Sequence, residues 1–188
     1  MKKSNIQNLT LTALVAAILC VIGPLVIPIG MIPMSLTNMV IYLAIILLDK
    51  KRATISVVIY LLIGFVGLPV FAGFAGGVGK LFGPTGGYLI GYLALSWIAG
   101  EILEHIDGKY LWIKNQKQIK NLGQMIALII GTISLYIVGT LWLMIQSKLN
   151  FISALSIGVL PFVAFDVLKI VAAVILGKSI KKRIQIIL

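Results

Sequence analysis

Charged side chains are scarce in this sequence. They make up 11% of its 188 residues, whereas a typical soluble domain carries roughly 25%. Apolar residues make up 60% of the chain, and the mean hydropathy is +1.12. A soluble core of this length cannot hide so much apolar surface, so a soluble globular domain is excluded. We expect residues 1–188 to form a single membrane-embedded, substrate-binding domain surrounded by the lipid bilayer.

Cysteine and histidine each occur once, as Cys20 and His105. A lone cysteine cannot form a disulfide within its chain, and Cys20 lies in an apolar run, where a small core side chain is expected. Catalysis by a Ser/His/Asp set needs a histidine beside its nucleophile, but His105 lies in a polar connection with Glu101 and Glu104. That connection lacks a diagnostic metal-ligand spacing. We therefore predict no catalytic residue, no metal site and no cofactor, and a protein that is not an enzyme.

Basic side chains are abundant and give a formal net charge of +11. They form short clusters between apolar runs instead of one continuous basic face, which excludes nucleic acid as a partner. Thirteen of the sixteen Lys and Arg residues lie at the two termini and in two connections, on one side of the predicted bundle. Because basic residues mark the cytoplasmic side, we predict a multi-pass protein of the cell membrane with cytoplasmic N- and C-termini.

Six apolar runs separate these basic clusters. A transmembrane helix needs about 17–25 residues, and most of the runs reach or approach that length. The second run is short and is expected to be tilted or shallow. The sequence predicts an all-α membrane protein, a bundle of six transmembrane helices. The runs cover residues 8–27, 35–49, 53–66, 86–104, 123–146 and 160–180.

A glycine-rich segment, Gly67–Tyr88, separates the third run from the fourth. It contains eight glycines, two prolines and a single charge, Lys80, which is either a solvated loop charge or a partner for a ligand carboxylate. Glycine costs about 1 kcal/mol and proline about 3 kcal/mol in a helix interior, so this segment is too rich in helix breakers to cross a membrane. We predict a structured outer loop that covers or lines a binding cavity. The segment is not a phosphate-binding loop, because Phe74 and Leu81 stand where that motif requires Gly and Ser or Thr.

Asp166 and Lys169 form a charged pair within the sixth run. A charge at the centre of a transmembrane helix costs roughly 2.5–3.5 kcal/mol, and such residues usually face the bundle interior or a cavity. Their i, i+3 spacing places both on one helix face, where each can neutralise the other. Two interpretations remain open. The pair is either a structural ion pair, or the polar floor of an outward-facing pocket in which Asp166 accepts ligand hydrogen bonds and Lys169 orients Asp166 or binds an acceptor.

Other polar and aromatic side chains are candidates for the same pocket. Asn38 and Tyr42 in the second run either form hydrogen bonds between helices or contact a ligand. Tyr88 directly follows the glycine-rich segment and is either a membrane-interface anchor or a ligand contact. Phe71 and Phe74 would pack over an apolar ring or form the core of the loop. The candidate substrate-binding residues are Asp166, Lys169, Tyr88, Asn38, Tyr42, Phe71, Phe74, Lys80, Thr85 and Gly83.

Small residues recur four positions apart in the first run, as Ala13 and Ala17. This spacing lets two membrane helices approach closely. The pair offers a smooth stripe to another helix, which belongs either to this chain or to a partner. Ala13 and Ala17 are therefore the candidate partner interface.

Several motifs carry a family resemblance. Gly67-Leu-Pro-Val-Phe-Ala-Gly73 is followed by Leu81-Phe-Gly-Pro-Thr-Gly-Gly-Tyr-Leu-Ile-Gly91. Further along the chain stands Pro161-Phe-x-x-x-Asp-x-x-Lys169, and the first run contains Ala13-Leu-Val-Ala-Ala17. Together these motifs resemble the BioY family, the biotin-binding S components of energy-coupling factor transporters, over essentially the whole chain.

The resemblance implies a high-affinity biotin-binding membrane subunit. Such a subunit captures biotin from outside and delivers it inward when coupled to a transmembrane coupling subunit and two cytoplasmic ATPases. The resemblance also implies that Asp166 accepts N–H groups of the ureido ring, that Tyr88 suits the thiophane ring, and that Ala13 and Ala17 face the coupling subunit. The alternatives are an S component for a different vitamin, a membrane enzyme acting on lipid, and a membrane assembly subunit that binds no small molecule.

Overall fold

Most of the chain is helical. The computed structural model describes residues 2–27, 32–109 and 116–187, with side chains described over 6–27, 32–106 and 121–183. Eight helices and one antiparallel pair of short strands are found over these ranges. In chain order they are α1 Lys2–Ile22, β1 Val26–Ile27, β2 Met34–Ser35, α2 Thr37–Leu47, α3 Lys50–Phe65, α4 Val78–Leu81, α5 Gly86–Lys109, α6 Gln116–Ser147, α7 Phe151–Gly158 and α8 Leu160–Ile187.

Membrane-length segments occur in three of these helices. Counted over the described residues, they are Gly86–Ile106 in α5, Asn121–Ser147 in α6 and Leu160–Arg183 in α8. Shorter apolar segments, Ile6–Ile22 and Thr37–Leu47, lie in α1 and α2. The prediction of a mainly helical membrane protein is confirmed.

Each of the six predicted runs overlaps one of the longer helices, but two runs extend too far. α1 ends at Ile22 because Gly23 and Pro24 follow, and proline lacks the N–H that would continue the helix. Strands β1 and β2 then pair, with Val26 opposite Ser35, so the second run loses its first residue to a strand. The sequence did not predict α4, α7 or the strand pair, because each is too short to show a period of apolar residues.

Glycines set the close packing of α5 against α6. A Cβ built on Gly87 would lie 2.1 Å from Trp142 Cβ, and one built on Gly131 would lie 2.7 Å from Ala99 Cβ. Neither position accepts a side chain unless a helix moves. Small residues of this kind let membrane helices approach backbone to backbone, so α5 and α6 form one tightly packed wall of the bundle.

The glycine-rich segment Gly67–Tyr88 folds as a loop that contains the single helical turn α4. Gly77 has φ +83° and donates its N–H to the carbonyl of Gly64 at 2.7 Å. Gly73 donates its N–H to the carbonyl of Pro24 at 3.1 Å. Glycine adopts positive φ without steric cost, which allows the loop to turn back onto the ends of α1 and α3.

A group of polar contacts lies where α3 begins. Asp49 Oδ1 accepts hydrogen bonds from the backbone N–H of Arg52 at 2.9 Å and from its Nε at 2.8 Å. Burial raises the pKa of Asp49, but the hydrogen bonds and charge of Arg52 outweigh burial and hold this pKa below its ordinary value. Lys50 Nζ forms ion pairs with Glu101 and Glu104 of α5. We name these five residues the α3–α5 charge cluster.

Candidate ligand-binding cavity

A cavity lies among the β1–β2 pair, the glycine-rich loop and helices α2, α5, α6, α7 and α8. Its lining is largely apolar and aromatic, with a few polar side chains. Six of the ten predicted substrate-binding residues line it: Asp166, Lys169, Tyr88, Asn38, Lys80 and Thr85. The complete lining is Ile32, Pro33, Ser35, Asn38, Ala72, Lys80, Thr85, Tyr88, Leu89, Tyr92, Leu135, Tyr136, Gly158, Phe162, Asp166 and Lys169.

The carboxylate of Asp166 is the centre of the polar part of this lining. Its residue is 5% exposed. Oδ1 accepts hydrogen bonds from Asn38 Nδ2 at 2.7 Å and from Lys169 Nζ at 3.0 Å, and Oδ2 accepts one from the Tyr136 hydroxyl at 2.6 Å. A buried charge is tolerated when its partners compensate the water it has lost, and here three donors from three helices do so.

Lys169 is buried beside Asp166 and contacts three acceptors. Nζ lies 3.0 Å from Asp166 Oδ1, 3.1 Å from Asn38 Oδ1 and 2.7 Å from the backbone carbonyl of Ser35. Asp166, Lys169, Asn38 and Tyr136 thus form a connected hydrogen-bond network, which we name the buried polar cluster.

The local sequence explains how this cluster assembles. An α-helix has 3.6 residues per turn, so Asp166 and Lys169, three residues apart on α8, lie on one face. Pro161 is the second residue of α8, where its missing N–H costs the helix little. α2 packs against α8 along this face, and Asn38 lies in the first turn of α2. The amide of Asn38 can therefore reach both charged groups.

Aromatic rings form much of the remaining wall. Tyr88 and Tyr92, one turn apart on α5, line the cavity together with Tyr136 of α6 and Phe162 of α8. The Tyr88 hydroxyl donates a hydrogen bond to the carbonyl of Gly158 at 3.0 Å, which joins α5 to the end of α7. Tyrosine combines an apolar ring with a polar tip, so this wall suits a ring-shaped ligand with limited polarity.

Lys80 and Thr85 extend the lining into the glycine-rich loop, and both are partly exposed. Lys80 is the last residue but one of the turn α4. Lys80 is thus more exposed than Asp166 and Lys169, which are buried.

Two predicted site residues are buried behind the lining. Tyr42 is fully buried, and its hydroxyl lies 2.7 Å from Thr132 Oγ1 and 3.5 Å from Asn38 Nδ2. Phe71 is also fully buried and packs edge-on against Tyr60, with 5.5 Å between ring centroids. Tyr42 therefore supports Asn38 from behind, and Phe71 forms the core beneath the loop, which is the alternative that the sequence left open.

Two others lie outside the lining for different reasons. Phe74 is 67% exposed, so its ring lies largely in solvent or lipid and not in the cavity lining. Gly83 has no side chain to offer, and its carbonyl accepts a hydrogen bond from Trp142 Nε1 at 3.0 Å. The cavity geometry thus gives no support for direct ligand contacts by Phe74 or Gly83.

Ala13 and Ala17 are exposed on α1, whereas Ala16 and Leu19 on the opposite face are buried. The alanine stripe is therefore available on the outside of the described bundle instead of packing within it.

Tyr136 and the backbone carbonyl of Ser35 belong to the site but were not predicted from the sequence. Tyr136 stands in the fifth run, four positions after Thr132, and a hydroxyl within a transmembrane helix was the available signal. No sequence pattern could have indicated the contact at Ser35, because any residue at this position would present the same backbone carbonyl.

A helical membrane protein with a cavity between its helices, centred on buried polar side chains, is typical of membrane proteins that bind small molecules. The model of the BioY family matches residues 1–186. The chain therefore belongs to the BioY family, and the resemblance drawn from its motifs is confirmed.

Individual relatives agree with this membership. The chain is 33% identical to the biotin transporter BioY2 of Lactococcus lactis subsp. cremoris, over 96% of this chain and 93% of that protein. It is 34% identical to the biotin transporter BioY of Thermotoga maritima, over 83% and 85% of the two chains. Its structure is similar to the crystal structure of the S-component for biotin from an ECF-type ABC transporter. That comparison has a TM-score of 0.86 and 31% identity, and covers 97% of this chain and 94% of the other.

Proposed function

We propose that this chain is the biotin-binding S component of an energy-coupling factor transporter. It binds biotin from outside with high affinity and delivers it inward when coupled to a transmembrane coupling subunit and two cytoplasmic ATPases. The observation that carries the proposal is the buried Asp166 carboxylate, held by three donors in the lining of a cavity. The named biotin transporters and the solved S-component for biotin support it.

The ureido ring of biotin fits the buried polar cluster. A carboxylate offers about four hydrogen-bond acceptor sites, and protein donors occupy three on Asp166. A ligand N–H completes the set at Oδ2 beside Tyr136. Asp166 is buried, and a low local dielectric strengthens such a hydrogen bond, so this contact contributes strongly to affinity.

The rest of biotin fits the aromatic wall and the loop. The thiophane ring is apolar and packs against Tyr88, Tyr92 and Phe162. The valerate tail ends in a carboxylate, for which Lys80 supplies a positive charge and Thr85 a hydroxyl donor. The tail therefore extends towards the partly exposed side chains of the lining, and the ureido ring lies beside the buried polar cluster.

The same proposal includes the membrane topology. α1, α2, α3, α5, α6 and α8 are the six transmembrane helices, with both termini in the cytoplasm and the glycine-rich loop outside. The unequal distribution of Lys and Arg supports this orientation. Lys80 and Thr85 then lie on the outer side, where biotin enters.

The exposed stripe of Ala13 and Ala17 is proposed to contact the coupling subunit. Replacing both alanines with Trp should prevent stable assembly with the coupling module while biotin binding by the isolated chain persists, as measured by co-purification and calorimetry. Ile137→Trp on the exposed face of α6 is the matched control, because Ile137 is 55% exposed, and it should leave both properties intact. Loss of biotin binding in the alanine variant would place the stripe in internal packing.

Calorimetry on the purified chain tests the proposal directly. Biotin, thiamine and riboflavin are titrated separately, without nucleotide and without partner subunits. Tight binding of biotin alone is expected. Binding of another vitamin with biotin inert would identify an S component for that vitamin, and absence of all binding would favour an assembly subunit.

A further inference from the structure

The glycine-rich loop is attached to the bundle at two separate places. Its first part turns back onto α1 and α3 through backbone hydrogen bonds, from Gly73 to Pro24 and from Gly77 to Gly64. Its last part, residues 82–85, connects α4 to α5, and we name it the α4–α5 bridge. Two side chains of α6 hold this second part.

Trp142 and Gln146 donate hydrogen bonds to two consecutive carbonyls of the bridge. Trp142 Nε1 lies 3.0 Å from the carbonyl oxygen of Gly83, and Gln146 Nε2 donates to the carbonyl of Phe82. The rings of Trp142 and Phe82 also lie close together, with 6.4 Å between their centroids. Residues four positions apart are neighbours on one face of a helix. The bridge is therefore held by two neighbouring side chains of α6.

The position of Trp142 is itself fixed by the packing of α5 on α6. A Cβ built on Gly87 would lie 2.1 Å from Trp142 Cβ, so a side chain at position 87 would displace the tryptophan. The indole has one N–H donor and no acceptor, so the direction of its hydrogen bond follows from the orientation of its ring. Trp142 thus attaches the bridge to the tightly packed wall that α5 and α6 form.

The turn α4 depends on this attachment because it has little packing of its own. None of its four residues is buried, and a Cβ built on Gly79 would meet nothing within 4 Å outside its own turn. Segments with few buried contacts open easily. Lys80 lies in α4 and Thr85 ends the bridge, and both line the cavity. The attachment of the bridge to α6 therefore helps to place both of these lining residues.

We propose that Trp142 and Gln146 are positioning residues: they hold the α4–α5 bridge on α6, keep Lys80 and Thr85 in the cavity wall and thereby slow ligand release. Neither Trp142 nor Gln146 is among the residues that line the cavity, so both act through the bridge. The ligand part of this inference rests on the proposed function, in which Lys80 and Thr85 face the carboxylate of biotin.

Amide hydrogen exchange without ligand tests the attachment. Trp142→Phe keeps an aromatic ring but removes the N–H donor, and Gln146→Met removes the other donor at similar side-chain length. The amides of Lys80, Phe82 and Gly86 donate hydrogen bonds within the loop. In the double variant they should exchange roughly 5- to 150-fold faster, the range for two lost hydrogen bonds between neutral groups. Exchange at the wild-type rate would overturn the proposal.

Single variants of α6 sharpen this test. Gln146 is exposed, so Gln146→Met alone still tests the attachment if the double variant does not fold, and it should speed exchange roughly 2- to 12-fold. Gln146→Lys keeps an N–H donor and should protect the amides better than Gln146→Met. Equal exchange in these two variants would overturn the role of the Gln146 donor. Ile145→Met is the matched control, because it changes a side chain of the same turn that is 78% exposed, and it should leave exchange unchanged.

The rate of biotin release tests the positioning role. In the double variant biotin should dissociate roughly 3- to 70-fold faster, the range for losing an exposed charge pair together with a hydrogen bond between neutral groups. A role in folding alone would lower the folded fraction but leave the dissociation rate of the folded protein unchanged. Faster amide exchange with unchanged dissociation would therefore overturn the positioning role.

A double-mutant cycle with Lys80→Gln tests whether the effect passes through Lys80. If Trp142 and Gln146 act by placing Lys80, the combined variant should release biotin more slowly than the product of the separate effects predicts. Effects that multiply independently would overturn this route. The amide exchange measurement needs no biotin, so it still decides whether α6 holds the bridge if the vitamin titrations reject the proposed function.

Discussion

Two groups of charged side chains lie near opposite ends of α5 and differ in exposure. Near the start of α5, the side chains of Asp166 and Lys169 are 7% and 9% exposed. Near the other end, Glu101 and Glu104 of the α3–α5 charge cluster are 41% and 46% exposed. Both groups join separate helices: the first through hydrogen bonds from α2 and α6 to Asp166 of α8, and the second through ion pairs between Lys50 and two glutamates of α5. Only in the first group are the side chains so buried that water cannot replace a lost hydrogen-bond partner.

This difference separates a binding site from a surface contact. Exposed ion pairs are screened by salt and water and typically contribute little. Buried ion pairs have lost their hydration, so each remaining polar atom must find a partner in the protein or in a ligand. The buried polar cluster can therefore discriminate between ligands by their donors and acceptors, whereas the α3–α5 charge cluster can join helices but has water as a competing partner throughout.

The largest expected effect is at Asp166. Asp166→Asn keeps the shape but removes the charge that Lys169, Asn38 and Tyr136 surround. Truncating one partner of a buried charge pair costs roughly 2–5 kcal/mol, a loss of about 30-fold to several thousandfold in affinity. Calorimetry with biotin measures it.

Glu101→Gln is the matched control for this substitution. It makes the same change of carboxylate to amide, in an ion pair of the exposed group. Biotin affinity should stay at the wild-type value. If the two variants lost equal affinity, burial would not be what distinguishes the clusters, and if Asp166→Asn bound normally, Asp166 would lie outside the site.

Tyr136→Phe should give the next largest effect. It removes the hydroxyl that donates to Asp166 Oδ2 at 2.6 Å while leaving the ring in the wall. A hydrogen bond to a charged group contributes about 1.5–3 kcal/mol, so biotin affinity should fall roughly 10- to 150-fold. Tyr42→Phe removes a buried hydroxyl that contacts Thr132 Oγ1 instead, and it should lose less. The reverse order of the two losses would contradict the assignment of Tyr136 to the site.

These two tyrosines show how much of the site the sequence could predict. Asp166 and Lys169 were identifiable because a charge within a membrane helix must be compensated, and helical spacing fixes which residue lies beside it. Tyr42 was selected by the same spacing from Asn38, yet it lies behind the lining. Tyr136 lies on α6, far from Asp166 in sequence, and its partner follows only from how α6 packs on α8.

The fold shows the same limit. The lengths and apolar character of the runs predicted the longer helices, because those properties belong to each segment alone. The β1–β2 pair joins residues on both sides of Pro28 and Pro33, and its stability comes from contacts with the rest of the bundle. Phe71 and Phe74 are three positions apart in one loop, yet Phe71 is buried and Phe74 is exposed. The glycine content of the segment predicts a loop but not which of its aromatic side chains is buried.

Lys80→Gln should have a smaller effect, because Lys80 is partly exposed. Its charge is proposed to attract the valerate carboxylate, and exposed charge pairs contribute about 0.2–1 kcal/mol. Biotin affinity should fall by roughly 1.5- to 5-fold, more at low salt than at high salt, and biotin methyl ester should be unaffected by the substitution. Lys148→Gln, a change at an exposed lysine outside the cavity lining, is the control. Equal losses for biotin and its ester would show that Lys80 does not contact the carboxylate.

The smallest effect is expected at Asp49, in the exposed group, and it concerns stability alone. Asp49→Ala removes the cap of α3 and should cost about 1 kcal/mol without changing biotin affinity. The pKa of Asp49 is lowered in the folded protein. The stabilisation from its charge is therefore present above the unfolded pKa, near ~4, and is lost as pH falls through the folded pKa.

Asp49→Asn separates the two contributions of this residue, because asparagine is also a good cap but carries no charge for Arg52. Thermal unfolding at neutral pH should rank wild type above Asp49→Asn, and Asp49→Ala lowest. In acid the wild type should approach Asp49→Asn, since the protonated carboxyl and the amide then differ little. A gap between these two proteins that persisted in acid would mean that the charge is not the source of the difference. The exposed group would then stabilise α3 through hydrogen-bond geometry alone, and its contrast with the buried polar cluster would become sharper.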